Sequence, residues 1–356
     1  MRVVVAMSGG VDSAVAAARC VAAGHEVIGI SLRLASGGSG GCCSLDDFHD
    51  ARAVCDRLGV PHYVFDFTDA FRRAVVAPFV DDYLAGRTPN PCARCNQHVK
   101  FDLLWRRARE LGAAALATGH YARIAVDPTT GTRALRTAAD PAKDQTYFLF
   151  ALDDAALART LFPVGDATKA GVRREATALG LPVADKPESM EVCFVPPGDA
   201  AGFVARHAPA AALRPGVVVD DDGTPLGTHD GIHRFTVGQR RGLGVTTTDG
   251  PRYVRRLDPE TGTVTVTRAH ALHAAGLVAR DVTWAAGAPP PAGTRVAVRI
   301  RHRHRPAPAV VESADMDGVR VRWAVGIGPL PPPGQAAVLY RDELVVGGGW
   351  IAEGLA

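Results

Sequence analysis

Lysine is absent from the chain before Lys100, and this absence excludes one common phosphate-binding motif. The Walker loop, G-x-x-x-x-G-K-S/T, depends on a lysine that reaches the β- and γ-phosphates of a nucleotide. A phosphate site in the amino-terminal part of the chain must therefore work without a lysine of its own.

Long apolar runs and a strong net charge are missing as well. No stretch approaches about 18 uninterrupted apolar residues, so no membrane span is predicted. Charged residues make up 22% and aromatic residues 6% of the chain, and the formal charge of +3 does not by itself indicate a polyanionic partner. The 356 residues suffice for two or three domains. Because Met1 and Arg2 lead directly into an apolar run, we expect no signal peptide and a cytoplasmic protein.

The cysteines form a poor disulfide framework. There are seven, an odd number, and all lie within the first 193 residues, as suits a reducing compartment. Cys20 in the first predicted helix and Cys55 on an apolar stripe are expected to be small core residues. The other five are Cys42, Cys43, Cys92, Cys95 and Cys193.

A strand, a tight turn and a helix are predicted at the amino terminus. Val3-Val4-Val5 reads as a buried strand, Ser8-Gly9-Gly10 as the turn, and residues 14–23 as a helix closed by Gly24. The two glycines let backbone N–H groups converge on an anion at the helix start. Without a Walker lysine this phosphate cradle suits attack at an α-phosphate, in which a substrate oxygen is adenylated and pyrophosphate leaves. Asp12 would assist through a metal ion or a hydroxyl contact.

The first 200 residues or so alternate strands with helices, which predicts an α/β fold with a doubly wound parallel sheet. Ligands bind at the carboxyl ends of such strands, where both the turn after Val5 and the segment 118–121 fall. Strands are predicted at 25–34, 60–67 and 113–118, and helices at 45–58, 69–83 and 99–111.

Beyond about residue 205 short strands with Asp-Gly or Thr-Gly turns replace the helices. The strand–turn rhythm of the last block predicts a small β-barrel. We therefore expect a nucleotide-binding catalytic domain at 1–203, a small, mostly β central domain at 204–270 and a C-terminal barrel at 271–356.

Two cysteines are placed for chemistry. The Pro-Asn-Pro loop before Cys92 is expected to deliver Cys95 at or just before the start of a helix near Gln97, where the helix dipole and Arg94 lower a thiol pKa. Cys193 lies in an irregular loop that is not an obvious core position. Since the phosphate cradle is expected in the same domain, one reaction would use the cradle and both cysteines. A persulfide on one cysteine attacks an adenylated carbon, and the other cysteine releases the sulfur by forming a disulfide.

Three other uses of these thiols stay open. Cys92-x-x-Cys95 is half of a zinc site, but no second C-x-x-C exists. A thioredoxin-like redox pair would belong at a helix start directly after a strand. An iron–sulfur cluster is the third alternative, and Cys42, Cys43 and Cys92 are candidate ligands.

A basic run, Arg-Ile-Arg-His-Arg-His-Arg, occupies residues 299–305. On a strand its alternate residues would share one face, and the guanidinium and imidazole groups would suit RNA. A solvated barrel edge is the alternative interpretation.

Taken together, the motifs resemble those of the tRNA-specific 2-thiouridylases, a family within the PP-loop ATP pyrophosphatases, over essentially the whole chain. The first motif fits any PP-loop enzyme, whereas the set is specific. The matching segments are 7–13, 86–91 with Cys95-Asn96 and Lys100-Phe101, 117–121, 143–149, 161–165, 192–194, 238–244, 333–335 and 346–349.

This resemblance implies ATP-dependent thiolation of the wobble uridine, position 34 of tRNA, with release of AMP and pyrophosphate. It implies Cys95 as the nucleophile and Cys193 as the carrier of the persulfide, with a disulfide between them in turnover. For ATP it implies Ala6, Met7, Ser8, Gly9, Gly10, Val11, Asp12, Ser13, Leu32 and Gly119. For the target base it implies Asn90, Pro91 and Cys92, and for the remainder of the tRNA His120, Lys143, Asp144, Gln145, Arg301, His302 and Gln335.

The family also uses Mg²⁺, receives sulfur from a cysteine-desulfurase relay and modifies tRNAs for Lys, Glu and Gln; we expect a monomer. Cys42 and Cys43, together with Cys92, give this chain extra thiols, which keeps the iron–sulfur alternative open. Two single residues also depart from the family's pattern. Many members carry an aspartate where this chain has Cys92, and a tyrosine is common where it has His302. A neutral imidazole can still stack on a base.

Two rival functions remain. Another α-phosphate enzyme, such as an amidotransferase-type synthetase or a tRNA lysidine synthetase, would have no need for the distant cysteine pair. A non-catalytic RNA-binding protein would use the basic barrel and carry a vestigial phosphate loop.

Overall fold

The amino-terminal strand, turn and helix form as predicted. The computed structural model describes residues 1–35, 44–188, 192–245 and 250–356. In it β1 spans Arg2–Ala6 and α1 spans Val11–Ala22, with Gly24 in the left-handed conformation behind the helix. The three valines of β1 have no exposed surface, because helices cover both faces of the sheet.

Five parallel strands form the sheet of this first region, in the order β3-β2-β1-β4-β7. This confirms the predicted α/β fold with its doubly wound sheet. The other strands of this sheet are β2 (Glu26–Arg33), β3 (His62–Asp66), β4 (Ala115–Thr118) and β7 (Thr160–Leu161). Between β4 and β7 in the chain, β5 (Arg123–Val126) and β6 (Arg133–Arg136) form a hairpin outside this sheet. The helices after α1 are α2 (Leu45–Leu58), α3 (Thr68–Phe71), α4 (Ala77–Leu84), α5 (Pro91–Arg94), α6 (Leu104–Glu110), α7 (Asp154–Leu157) and α8 (Lys169–Ala178).

Helix α2 has the bounds that its sequence predicts, because both ends carry strong signals. The Ser44 hydroxyl accepts a hydrogen bond from the Asp47 N–H, and the Asp47 carboxylate accepts one from the Ser44 N–H. Gly59 ends the helix at a φ of 67°.

The helix that carries Cys95 begins earlier than predicted. It starts at Pro91 rather than near Gln97, since Asn90 caps it through the Ala93 N–H and proline is well suited to a first helical position. The helical path continues without a break through a π-helical segment, Cys95–Leu103, into α6. Cys95 is therefore the fifth residue of a helix and not its first.

The central region is a small four-stranded sheet with one helix before it. Its order is β10-β11-β8-β9, and Val218, Val254, Val264 and Val266 form its fully buried core. The elements are α9 (Ala200–His207), β8 (Gly216–Val219), β9 (Pro225–His229), β10 (Tyr253–Asp258) and β11 (Thr263–Thr267).

The C-terminal region confirms the predicted β-barrel. Its six strands run β13-β16-β15-β14-β18-β19, and the pairing of β19 with β13 closes the ring. The hairpin β5–β6, which the sequence analysis missed, joins this barrel through Arg136 and Leu344. The strands are β12 (His273–Ala274), β13 (Gly276–Trp284), β14 (Arg295–Arg299), β15 (Ala307–Ala314), β16 (Gly318–Trp323), β17 (Gly328–Pro329), β18 (Ala336–Arg341) and β19 (Leu344–Leu355).

Within the described ranges, no helix combines the length and the apolar character that crossing a bilayer requires.

Candidate nucleotide and thiol site

The turn between β1 and α1 is held open by backbone geometry and by one serine. Ser13, which is buried, donates from its hydroxyl to the Gly10 carbonyl at 2.9 Å and accepts from the Ser8 N–H at 3.2 Å. Gly9 has a φ of 71°, and a Cβ atom there would collide with the backbone carbonyl of Asp47. The turn thus has the shape of an anion cradle at the amino end of a twelve-residue helix.

The end of β4 closes one side of this turn. A Cβ atom at Gly119 would lie 2.6 Å from the Ser13 nitrogen, so only glycine permits the approach. Leu32, on the neighbouring β2, is buried. The predicted nucleotide residues from β1, β2 and β4 therefore meet at the carboxyl edge of the sheet, as the topology requires.

Asp12 lies in the first turn of α1, beside the cradle, and its carboxylate is bonded to Tyr121 and Lys169. Its carboxylate accepts from the Tyr121 hydroxyl at 2.7 Å, and Lys169 Nζ lies 2.8 Å from both of its oxygens. Lys169 also lies 3.0 Å from Glu188, which accepts from Lys143 at 2.7 Å. Burial and the Asp12 carboxylate raise the pKa of the Tyr121 hydroxyl.

Lys169 was missed by the sequence analysis, although a compositional signal existed. The chain has 36 arginines and only four lysines. Three of the lysines pair with carboxylates around this turn: Lys143 and Lys169 as above, and Lys186 with Asp47 and Asp50 of α2.

Cys95 and Cys193, far apart in the chain, lie in the same hydrophobic cluster. Cys95 is buried in it, and the half-buried Cys193 packs against it. Phe194 anchors the second cysteine, since its ring makes edge contacts with Phe71 and Phe79 at centroid distances of 5.4 and 5.2 Å. The fold therefore places both thiols that the sequence analysis selected at one hydrophobic cluster.

The side chain of Arg94 has other partners than those expected. Its guanidinium lies 4.6 Å from the centre of the Trp350 ring and 3.7 Å from the buried Asp82. Cys95 itself is the fifth residue of its helix and does not lie at the helix start. Cys92 is exposed in the first turn, and the neighbouring Asn90 and Pro91 are buried.

The two cysteines predicted to be core residues are confirmed as such. Cys20 and Cys55 are buried, and burial raises the pKa of each thiol to about 11. Cys42 and Cys43 lie outside the described residues. Among the residues that the structure does describe, no three His, Cys, Asp or Glu side chains gather as a metal site.

The side chains of the turn predicted to touch tRNA, 143–145, form hydrogen bonds or ion pairs within the protein. Asp144 is buried, and its carboxylate accepts from the Thr146 hydroxyl and from Arg299 at 2.8 Å. Its side chain therefore serves the contact between the first region and the barrel and is not presented to a ligand. Gln145 exchanges hydrogen bonds with the Tyr121 backbone.

His120 and His302 both have lowered pKa values and are neutral at pH 7. Burial is the main cause for each, with Lys100 adding to it at His120 and Arg299 at His302. His120 shares a hydrogen bond with the Thr118 hydroxyl at 2.9 Å, and the His302 ring lies 4.5 Å from that of Phe148.

The predicted basic strand at 299–305 is wrong. Strand β14 ends at Arg299, and the chain then turns, so the alternate residues do not share one face. Arg299 is paired with Asp144, and Arg301 donates to the Val237 carbonyl at 2.9 Å. Only the end of the run, residues 303–305, is exposed.

Gln335 joins the barrel to the loop before Cys95. It accepts from the Tyr147 hydroxyl at 3.0 Å and donates to the Pro89 carbonyl at 3.1 Å. The Thr88 N–H donates to the Pro333 carbonyl at 2.7 Å beside it. The barrel thus holds the entrance to the thiol helix in place.

A doubly wound sheet with an anion cradle at its carboxyl edge defines a nucleotide-binding α/β protein, here joined to a β-barrel. Family models match in the same order. The tRNA methyl transferase HUP domain matches residues 1–197, the tRNA methyl transferase PRC-barrel domain 201–268, and the aminomethyltransferase β-barrel domain 274–351.

Similar curated proteins cover nearly the whole chain. The tRNA-specific 2-thiouridylase MnmA of Acidothermus cellulolyticus is 49% identical over 99% of this chain and 98% of its own length. That of Geobacter metallireducens is also 49% identical, over 98% and 96%. A solved structure of the tRNA thiolase NcsA from Methanococcus maripaludis, with its 4Fe-4S cluster, is 17% identical over 60% of this chain and 69% of its own, with a TM-score of 0.36. The chain belongs to the tRNA-specific 2-thiouridylase family.

Proposed function

We propose that the chain is an ATP-dependent tRNA sulfurtransferase that converts the wobble uridine, position 34, to 2-thiouridine. The observation that carries this proposal is that Cys95 and Cys193 both lie at one hydrophobic cluster, in a chain whose relatives over nearly the full length are 2-thiouridylases. Neither rival function requires two cysteines from distant segments at the same cluster.

ATP is proposed to bind in the turn from Ala6 to Ser13, with Leu32 and Gly119 beside it. Backbone N–H groups would hold the phosphates, as the φ of Gly9 and the close approach of Gly119 support. A resident Mg²⁺ on Asp12 does not fit the residues present, because both carboxylate oxygens already face Lys169. We therefore propose that the ion arrives on the phosphates of ATP, as part of the substrate.

The chemistry follows in balanced steps. The uridine O2 attacks the α-phosphorus, and pyrophosphate leaves with the electrons of the broken P–O bond. The terminal sulfur of a Cys193 persulfide attacks C2, and AMP leaves. The Cys95 thiolate then attacks the Cys193 sulfur, which forms a disulfide and frees the 2-thiouridine. In the alternative order, Cys95 first liberates hydrosulfide, which attacks C2.

For the RNA we propose that Asn90, Pro91 and Cys92 surround the target base. His120, Lys143, Gln145, Arg301, His302 and Gln335 would contact the remainder of the tRNA, while Asp144 acts through Arg299. We further propose a monomer that acts in the cytoplasm on tRNAs for Lys, Glu and Gln, with sulfur from a cysteine-desulfurase relay. The division into domains at 1–203, 204–270 and 271–356 belongs to the same proposal.

The test measures AMP and 2-thiouridine together, with purified protein, ATP, uridine-bearing tRNA and a persulfide donor. Cys95→Ser and Cys193→Ser should each abolish 2-thiouridine, whereas Cys20→Ala, which removes a core thiol, should leave it. AMP formation by the wild-type protein without any 2-thiouridine would favour another α-phosphate enzyme. A wild-type protein that forms no AMP would favour the RNA-binding alternative.

Two further measurements complete the test. RNA from cells that lack the protein should have lost 2-thiouridine, and an unchanged level would reject the assignment. An iron–sulfur cluster on Cys42, Cys43 and Cys92 is the competing use of those thiols. Iron and acid-labile sulfide in anaerobically purified protein would favour it.

A further inference from the structure

Lys169 occupies an unusual position for a lysine. Only 11% of its side chain is exposed, and its ammonium group lies within 3.0 Å of three carboxylate oxygens, two of Asp12 and one of Glu188. Lysine is almost never buried unless it is paired, because removing the ammonium from water is costly. The three N–H donors of this group match the three oxygens in number.

The position is not explained by the helix that carries it. Lys169 is the first residue of α8, and no acidic residue lies in that first turn. The partial positive charge at a helix start disfavours a cation there. The lysine is therefore placed for what it faces, the start of α1, and not for the stability of its own helix.

The negative charge of Asp12 at the cradle is neutralised by Lys169. A carboxylate in the first turn of α1 suits the dipole of that helix but repels a phosphate in the same cradle. Lys169 neutralises this carboxylate and adds N–H donors at the mouth of the cradle. Lys143 neutralises Glu188 in the same way, so the group of four charges is balanced before any anion arrives.

The presence of lysine rather than arginine at position 169 also supports a role in phosphate binding. The chain uses arginine nine times as often, 36 against four, yet keeps lysine here. A compact ammonium can exchange one carboxylate oxygen for a phosphate oxygen without moving its other contacts, whereas the planar guanidinium demands a wider, bidentate partner.

We propose that Lys169 is the phosphate-binding cation of this site. It reaches the β- and γ-phosphates of ATP from outside the loop and stabilises the pyrophosphate as it leaves. It thus takes the part that a lysine within the loop plays in Walker proteins. When the nucleotide binds, the Lys169 ammonium loses its longest contact, the one to Glu188, and Glu188 remains paired with Lys143. The inference rests on the proposed use of ATP.

The test compares Lys169→Met and Lys169→Arg with a matched control on the same pair of helices. Arg19 of α1 and Glu175 of α8 form an ion pair at 2.5 Å, away from the cradle. Arg19→Gln therefore loosens the same helix packing without touching the phosphates. Affinity is measured with ATP and with inorganic pyrophosphate as separate probes, and AMP formation with tRNA present. Circular dichroism verifies the fold of each variant.

Lys169→Met should form AMP about 100-fold more slowly and bind pyrophosphate at least tenfold more weakly, and Lys169→Arg should recover part of both. Arg19→Gln should keep both within about twofold. Equal losses in Arg19→Gln and Lys169→Met would overturn the inference in favour of a structural role, as would wild-type pyrophosphate affinity in Lys169→Met. If Lys169→Met fails to fold, Lys169→Gln, which keeps donors but no charge, replaces it. The proposed function fails separately, if wild-type protein binds ATP but makes no 2-thiouridine.

Discussion

At the scale of residues, some side-chain environments follow from the local sequence and others do not. Local sequence was enough to assign Cys20 and Cys55 to the core, because each lies on the apolar face of a helix. It was not enough to find the partners of Arg94 or Asp12. Those partners, Trp350 and Lys169, come from distant segments that no local pattern identifies.

The core thiols should resist alkylation in the folded protein. With a pKa of about 11, only about one Cys20 or Cys55 thiol in a thousand is ionised at pH 8, and the thiolate is the reactive form. The exposed Cys92 should react before either of these two core thiols. Peptide mapping after iodoacetamide treatment measures the order. Labelling of Cys20 as fast as that of Cys92 would contradict the burial described here.

At the scale of elements, helices with strong signals at both ends were predictable, and α2 is the example. The start of the thiol helix was missed because Pro89 and Pro91 read as loop residues, although Pro91 in fact begins the helix behind the Asn90 cap. The basic run at 299–305 was misread because a turn breaks the alternation after Arg299.

The strand–turn–helix unit allows a paired glycine experiment. Gly9 and Gly24 have nearly the same φ, 71° and 75°, but only at Gly9 would an added Cβ atom meet another backbone segment. Gly24→Ala should lower the free energy of unfolding by about 1–2 kcal/mol and leave ATP affinity unchanged. Gly9→Ala should cost more and weaken ATP binding at least about tenfold, because the loop must move away from Asp47. Equal ATP affinities of the two variants, measured by calorimetry, would argue against the cradle.

At the scale of the whole molecule, buried polar contacts join the barrel to the α/β region. Arg299 and Asp144 are 14% and 3% exposed, and Gln335 joins the Pro89 loop to Tyr147. The α/β sheet and the barrel were each predictable from the rhythm of their strands. How the two meet was not, because it depends on single side chains from both.

Breaking this attachment should be costly. Arg299→Leu leaves the Asp144 carboxylate buried without its cation and should lower the free energy of unfolding by about 3–5 kcal/mol. Arg320→Leu, which removes an exposed partner of Glu312, should cost less than about 1 kcal/mol. Adding Asp144→Asn to Arg299→Leu should recover part of the loss. Denaturant titration of the variants measures this, and equal costs for the two arginines would refute the structural role of the buried pair.

The proposed sulfur transfer is tested by following Cys95 and Cys193 through one turnover. Protein carrying a persulfide on Cys193 is mixed with ATP and tRNA without reductant, and its peptides are mapped by mass spectrometry. We predict a Cys95–Cys193 disulfide that appears in step with 2-thiouridine and only when both ATP and tRNA are present. A full yield of 2-thiouridine with both cysteines still reduced would contradict it.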